Sequence, residues 1–313
     1  MRFGLVLAAS VMSLLGPVPG AAQDPRPTPQ VSGAAGQATV LEDVVVQPDG
    51  LEERAAEFTA EVALQVRGRG LARWAGPVCI GVVNFRSDVA RGLADGLAHL
   101  GGALGVPIED EDCNPNIFIV GTDDGRALAE EWVRRDYRDF RPNTSRAALS
   151  HSRLTDFIEM ETPVRWWAIS RPTYFDIYTG RTVQTSNLTG GGPPPRIPVY
   201  AKSMISARTR DDLQRLVVIL DVAQMEQTQL EDLIAYLALV VFSQVDMGAD
   251  MRAHDTILNL FNGTHTGGGL TQWDRAYLAS MYAAPEDLRL NEHRQAERLA
   301  RRLRTGDDGF SPD

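Results

Sequence analysis

Apolar positions recur along the chain in two rhythms. Residues 78–85 read Val-Cys-Ile-Gly-Val-Val-Asn-Phe, a short apolar run that predicts a strand. Residues 88–104 place Val89, Leu93, Leu97 and Leu100 at spacings of three and four, which predicts an amphipathic helix. Residues 116–120 are nearly all apolar and predict a second strand, of the kind buried on both faces. Strand, helix and strand in that order predict a right-handed βαβ unit. Helical spacing also covers 51–66, with Phe58, Val62 and Leu64 available for packing, then 127–136 and 146–160. Residues 165–170 predict a third strand. Residues 199–207 and 216–222 predict two paired strands joined through 208–212. The strongly apolar stretch 229–245 predicts a buried helix, 271–282 another, and 291–304 a charged surface helix.

The ends read differently. Arg2 precedes the apolar run from Leu5 to Leu15, Gly16-Pro17 breaks it, and Gly20-Ala21-Ala22 supplies small residues before Gln23. This is the pattern of a secretory signal peptide over 1–22, cleaved before Gln23. The run is too short for a membrane span, which needs about 20 apolar residues. Residues 23–70 read as a flexible Pro/Gly/Ala/Gln-rich linker carrying a short β-prone patch at 41–46 and the helix noted above. The folded domain is expected over 71–304, with a disordered tail at 305–313. The long loop 179–198 contains Gly190-Gly191-Gly192-Pro193-Pro194-Pro195, which lacks the Lys-Ser/Thr of a phosphate loop.

Charge and cysteine count narrow the setting. The 313 residues carry 31 Lys+Arg against 41 Asp+Glu, a net charge of −10. An acidic chain lacks the basic footprint that nucleic acid requires, and it disfavours an anionic membrane surface. Lys202 is the only lysine, a bias that fits a GC-rich bacterial genome. The expected location is therefore periplasmic or secreted, with no span after signal cleavage. In an oxidising compartment the two cysteines, Cys79 and Cys113, read as a disulfide, and buried free thiols are the alternative. A metal site on the two cysteines would need further ligands nearby, and the sequence shows none.

The chemistry-bearing region is the end of the chain. A strand leads into Glu231-Asp232-Leu233-Ile234-Ala235-Tyr236-Leu237-Ala238-Leu239-Val240-Val241. After it come Thr256-Ile257-Leu258, then Leu270-Thr271-Gln272-Trp273-Asp274, then Met281-Tyr282. This order resembles the metzincin branch of the zinc peptidases, whose helix carries H-E-x-x-H-x-x-G-x-x-H before a Met-turn and a closing helix. It also resembles a group of exported bacterial proteins of unknown function with degenerate versions of that helix. The resemblance covers 71–303. It implies an α+β, zincin-like mixed sheet with flanking helices and a degenerate active-site helix. Laid on the pattern, the zinc-ligand positions match Glu231, Ala235 and Val241, the general base matches Asp232, and the glycine matches Ala238. Catalytic zinc needs three N, O or S ligands and an open position. Ala235 and Val241 cannot coordinate, so the expectation is no metal, no cofactor and no catalytic residue at these positions.

Structural roles compete for the same residues. Thr228 with Glu231, and Thr271 with Asp274, each have the spacing of a helix capping box. Arg165-Trp166-Trp167 puts large aromatics on both faces of a strand, so one packs in the core and the other could line a binding cleft. A replacement metal site would draw on His254, His265, Asp246, Asp250 and Asp255, whose spacing is not distinctive. Residues 41–46 also resemble the contact box of bacterial outer-membrane transporters, but no barrel follows and an edge strand accounts for them. The leading expectation is an inactive zincin-like domain that binds a protein or peptide in the cell envelope. The alternatives are a hydrolase with a rebuilt metal or carboxylate site, and a scaffold acting through the N-terminal arm 23–53.

Overall fold

A computed structural model describes residues 50–64, 66, 69–110, 112–141, 149–176, 181–184, 209–265, 267–283, 291–307 and 309–310. All fall in the compact unit Pro48–Asp313. The expected signal peptide, the part of the linker before residue 50 with its patch at 41–46, the Gly/Pro run and the strand at 199–207 lie outside the described residues. The later part of the expected linker is helix Leu51–Val62, which packs in the main core through Ala55, Phe58 and Val62 instead of forming a flexible tether.

The βαβ reading is realised. Strand β1 (Ile80–Val83) leads through helix α2 (Ser87–Ala103) to β2 (Ile117–Thr122), and the two strands pair in parallel, Ile80 opposite Ile117. Helices α3 (Gly125–Arg135), α4 (Tyr137–Phe140) and α5 (His151–Glu159) follow. Then come β3 (Val164–Asp176), β4 (Arg181–Gln184) and β5 (Thr209–Asp221). The five strands form one mixed sheet in the order β1-β2-β5-β3-β4. Strand β5 is parallel to β2 and antiparallel to β3, and β4 is antiparallel to β3. The class is α+β, as expected.

Period-two alternation divides the core into two layers. Trp166, Val218 and Ile119 pack in one cluster with Leu93 and Leu97 of α2. Trp167, Val217 and Ile219 pack in the other with Val133 of α3 and Phe157 of α5. Each indole N–H donates to a backbone carbonyl of its own layer, Trp166 to Val245 (3.1 Å) and Trp167 to Phe140 (2.9 Å). Helix α1 (Leu51–Val62), α6 (Leu230–Phe242), α7 (Gln272–Tyr282) and α8 (Glu292–Thr305) join the first layer.

Strand β5 starts earlier than its apolar pattern suggests. Residues 209–212, expected as the joint between two strands, are themselves strand, paired with β3 from Thr209 opposite Tyr174. The charges there are absorbed by partners rather than by solvent. Asp211 accepts from Arg69 Nε (2.6 Å) and from the Gly70 amide (2.7 Å). Asp212 accepts from Arg210 Nε (2.5 Å). Arg73 then pairs alongside β5, its amide donating to the Asp211 carbonyl and its carbonyl accepting from the Leu213 amide.

The disulfide is formed between Cys79 and Cys113, with Cα atoms 6.0 Å apart. It ties the entry to β1 to the loop before β2. Among the described residues no helix is long and apolar enough to cross a membrane.

Candidate functional site

Helix α6 from Leu233 onward is apolar on every side because it is buried on nearly every side. From Asp232 to Phe242 only Ile234 escapes full burial. It lies against α2 at glycines. A Cβ at Gly101 would stand 2.6 Å from Phe242 Cζ, and one at Gly96 would stand 2.7 Å from Ile234 Cδ1. The helix runs without a break past Ala238 and ends at Phe242, where Ser243 turns extended. Its last carbonyls would otherwise be orphaned in the core. Ser243 Oγ donates to the Leu239 carbonyl (2.6 Å), Trp74 Nε1 to Val241 (2.7 Å) and the Tyr282 hydroxyl to Phe242 (2.7 Å). Tyr282 therefore ties α7 to the end of α6, and burial raises its pKa.

The first turn of α6 departs from expectation. The cap position is Gln229, with no side-chain cap bond, so the Thr228–Glu231 box does not form. Glu231 is exposed and Asp232 is buried. Asp232 Oδ1 accepts from the amides of Gly268 and Gly269, both at 2.9 Å. Gly267, Gly268 and Gly269 all have positive φ, +87°, +101° and +77°. A side chain is strained in that backbone region, and a Cβ at Gly267 would also come 3.2 Å from Asp232 Oδ2. The glycines thus let the chain fold its amides onto a carboxylate at the positive end of the helix.

A second carboxylate closes the same segment. Thr271 and Asp274 form the expected capping box at the start of α7. Asp274 is fully buried. Its Oδ2 accepts from the Ile257 amide (2.7 Å), the Thr271 amide (3.0 Å) and Thr271 Oγ (2.9 Å), and its Oδ1 from Thr256 Oγ (2.5 Å). Burial pushes its pKa up to about 6, against the pull of those hydrogen bonds. The Thr256-Ile257-Leu258 turn is therefore pinned by Asp274, and Asn259 fixes its far side by donating to the carbonyls of Met251 (2.9 Å) and His254 (2.8 Å).

The other candidate residues do not converge. Ala235, Ala238 and Val241 sit in the main core. Arg165, Trp166 and Trp167 are buried as well, so none of the three faces an open groove. Arg165 donates from Nη1 to the carbonyls of Phe157 (3.1 Å) and Ile158 (3.0 Å), and burial lowers its pKa. Asp246 pairs with Arg153 and Asp250 with Arg252. His254 packs edge-on against Phe58, ring centroids 5.5 Å apart. Among the described residues, one group of three His, Cys, Asp or Glu side chains has its donor atoms within 4.8 Å of one another, and it is Cys79, Glu109 and Cys113. The Asp232–glycine contact was missed in the sequence, although the Gly267-Gly268-Gly269 triplet was its visible signal.

No protein-family model, curated protein or solved structure matches the chain.

Proposed function

We propose that the protein is exported and acts by binding, not catalysis, through a zincin-like domain whose active-site helix has become a core helix. The observation that carries this reading is the employment of Asp232. At the position matched to the general base, its carboxylate holds the amides of Gly268 and Gly269. Oδ1 already accepts two backbone amides, and the positions matched to zinc ligands at 235 and 241 are alanine and valine in the core. The frame is supported by the order of β5, α6, the turn at 256–259 and α7 against a mixed sheet. Export is supported by the signal-like N-terminus and by the disulfide. The partner is a protein or peptide of the cell envelope.

The test is a peptidase assay on the purified mature chain. A mixed peptide library is incubated with and without added zinc and read by mass spectrometry. Cleavage no greater than in a heat-denatured control is expected. Zinc-dependent cleavage that Asp232→Asn abolishes would overturn the reading. Deleting residues 23–49, which stops short of α1, then separates domain from arm, since partner binding that survives belongs to the domain.

A further inference from the structure

The disulfide has a third neighbour with metal-binding chemistry. The Sγ atoms of Cys79 and Cys113 and a carboxylate oxygen of Glu109 lie within 4.8 Å of one another. The geometry points to a second use of this pair: when the disulfide is reduced, Cys79, Cys113 and Glu109 form a site for a zinc-class divalent cation. This inference is independent of the proposed function, and either can fail without the other.

Each ligand is held by its backbone. The Val78 amide donates to the Pro107 carbonyl (2.8 Å) and the Glu109 amide to the Val78 carbonyl (2.9 Å), which seats Glu109 beside the residue preceding Cys79. The Cys79 amide donates to Asn116 Oδ1 (2.9 Å), and the Cys79 carbonyl accepts from the amides of Asn116 (3.1 Å) and Ile117 (3.0 Å). Asn116 Nδ2 also donates to the Pro77 carbonyl (3.0 Å). The Cys113 amide closes a turn onto the Asp110 carbonyl (3.1 Å). These contacts do not depend on the S–S bond, so its loss leaves the frame that positions the sulfurs.

The donor set suits the ion. Two thiolates and a carboxylate are borderline-soft, which favours Zn²⁺ over Mg²⁺ or Ca²⁺. Two thiolates on tetrahedral zinc at ~2.3 Å stand about 3.8 Å apart, a spacing open to cysteines whose Cα atoms are 6.0 Å apart. Cys79 is buried, Cys113 is half-buried and Glu109 is exposed, so the fourth position faces solvent. The run Glu109-Asp110-Glu111-Asp112 directly before Cys113 adds local negative charge that attracts a cation. In the reducing step a dithiol gives two electrons and two protons to the S–S bond and leaves as its own disulfide. The cation then displaces one proton from each thiol.

The full mature chain is reduced with a dithiol, desalted without oxygen and titrated with Co²⁺, a spectroscopic substitute for zinc. Circular dichroism follows the fold throughout. One equivalent is expected to bind with a thiolate-to-metal charge-transfer band that added Zn²⁺ bleaches. The disulfide-bonded chain is expected to give no such band. Glu109→Gln keeps both thiols and the disulfide, and is expected to weaken Co²⁺ binding by more than about tenfold. Three results would each overturn the site: no charge-transfer band in the reduced chain, unchanged affinity in Glu109→Gln, or a reduced chain whose native circular dichroism is lost and does not return with Co²⁺.

Discussion

Replacing Asp274 separates the roles of its two oxygens. Oδ2 holds three donors and Oδ1 holds one, the Thr256 hydroxyl. In Asp274→Ala the amides of Ile257 and Thr271 lose their acceptor inside the protein. At about 1–3 kcal/mol for each orphaned buried donor, the variant should lose about 4 kcal/mol. Asp274→Asn keeps an acceptor at the Oδ2 position and presents an N–H₂ to Thr256 Oγ, which can turn and accept. It should lose only about 1 kcal/mol. The asparagine also imitates the protonated acid, and this sets the pH dependence. The folded carboxyl has its pKa pushed up to about 6 by burial, whereas the unfolded one titrates near 3.9. The folded state therefore binds the proton more tightly. Its contribution is complete below the unfolded value and is lost as pH rises through the folded one. Between roughly pH 4 and 6 stability should fall by up to about 3 kcal/mol from this group. Urea unfolding followed by tryptophan fluorescence at a series of pH values reads all three quantities. An alanine variant within about 1 kcal/mol of the parent, or an asparagine variant that keeps the full slope, would refute the reasoning.

Two further substitutions probe the helix that the site is built on. Asp232→Ala strands the amides of Gly268 and Gly269 and should cost about 2–4 kcal/mol; limited proteolysis should then cut within 264–271 well before the parent is cut there. Gly101→Ala puts a Cβ 2.6 Å from Phe242 Cζ, inside a fully buried contact, and should cost about 1–3 kcal/mol in urea unfolding.

Local chemistry made much of this fold readable. The β1–α2–β2 unit follows from two apolar rhythms, and the Thr271–Asp274 box from its spacing, because the partners of each lie close in sequence. What was not readable depends on residues far along the chain. Asp211 and Asp212 look like turn residues until Arg69 and the Gly70 amide, over 140 positions earlier, take up the first of them. Glu231 has the spacing of a capping residue, yet the chain enters α6 one position later and Asp232 takes the third-turn-residue place. Its partners, Gly268 and Gly269, are 36 and 37 positions away. The alternation that divides Trp166 from Trp167 was legible, but burial of both required the helices of two separate layers. The neighbour of the disulfide was hidden in the same way, since only the pairing of Glu109 with Val78 brings that carboxylate to the sulfurs.

The central claim is that α6 is a structural helix rather than a zinc-bearing one. Elemental analysis of the protein tests it most directly, after purification without chelator or metal-binding tag. The absence of free thiols is confirmed first, so that Cys79 and Cys113 are out of play. The account predicts zinc far below one atom per chain, in a protein with native circular dichroism. One tightly held zinc per chain in that disulfide-bonded state, released by Glu231→Gln, would contradict it.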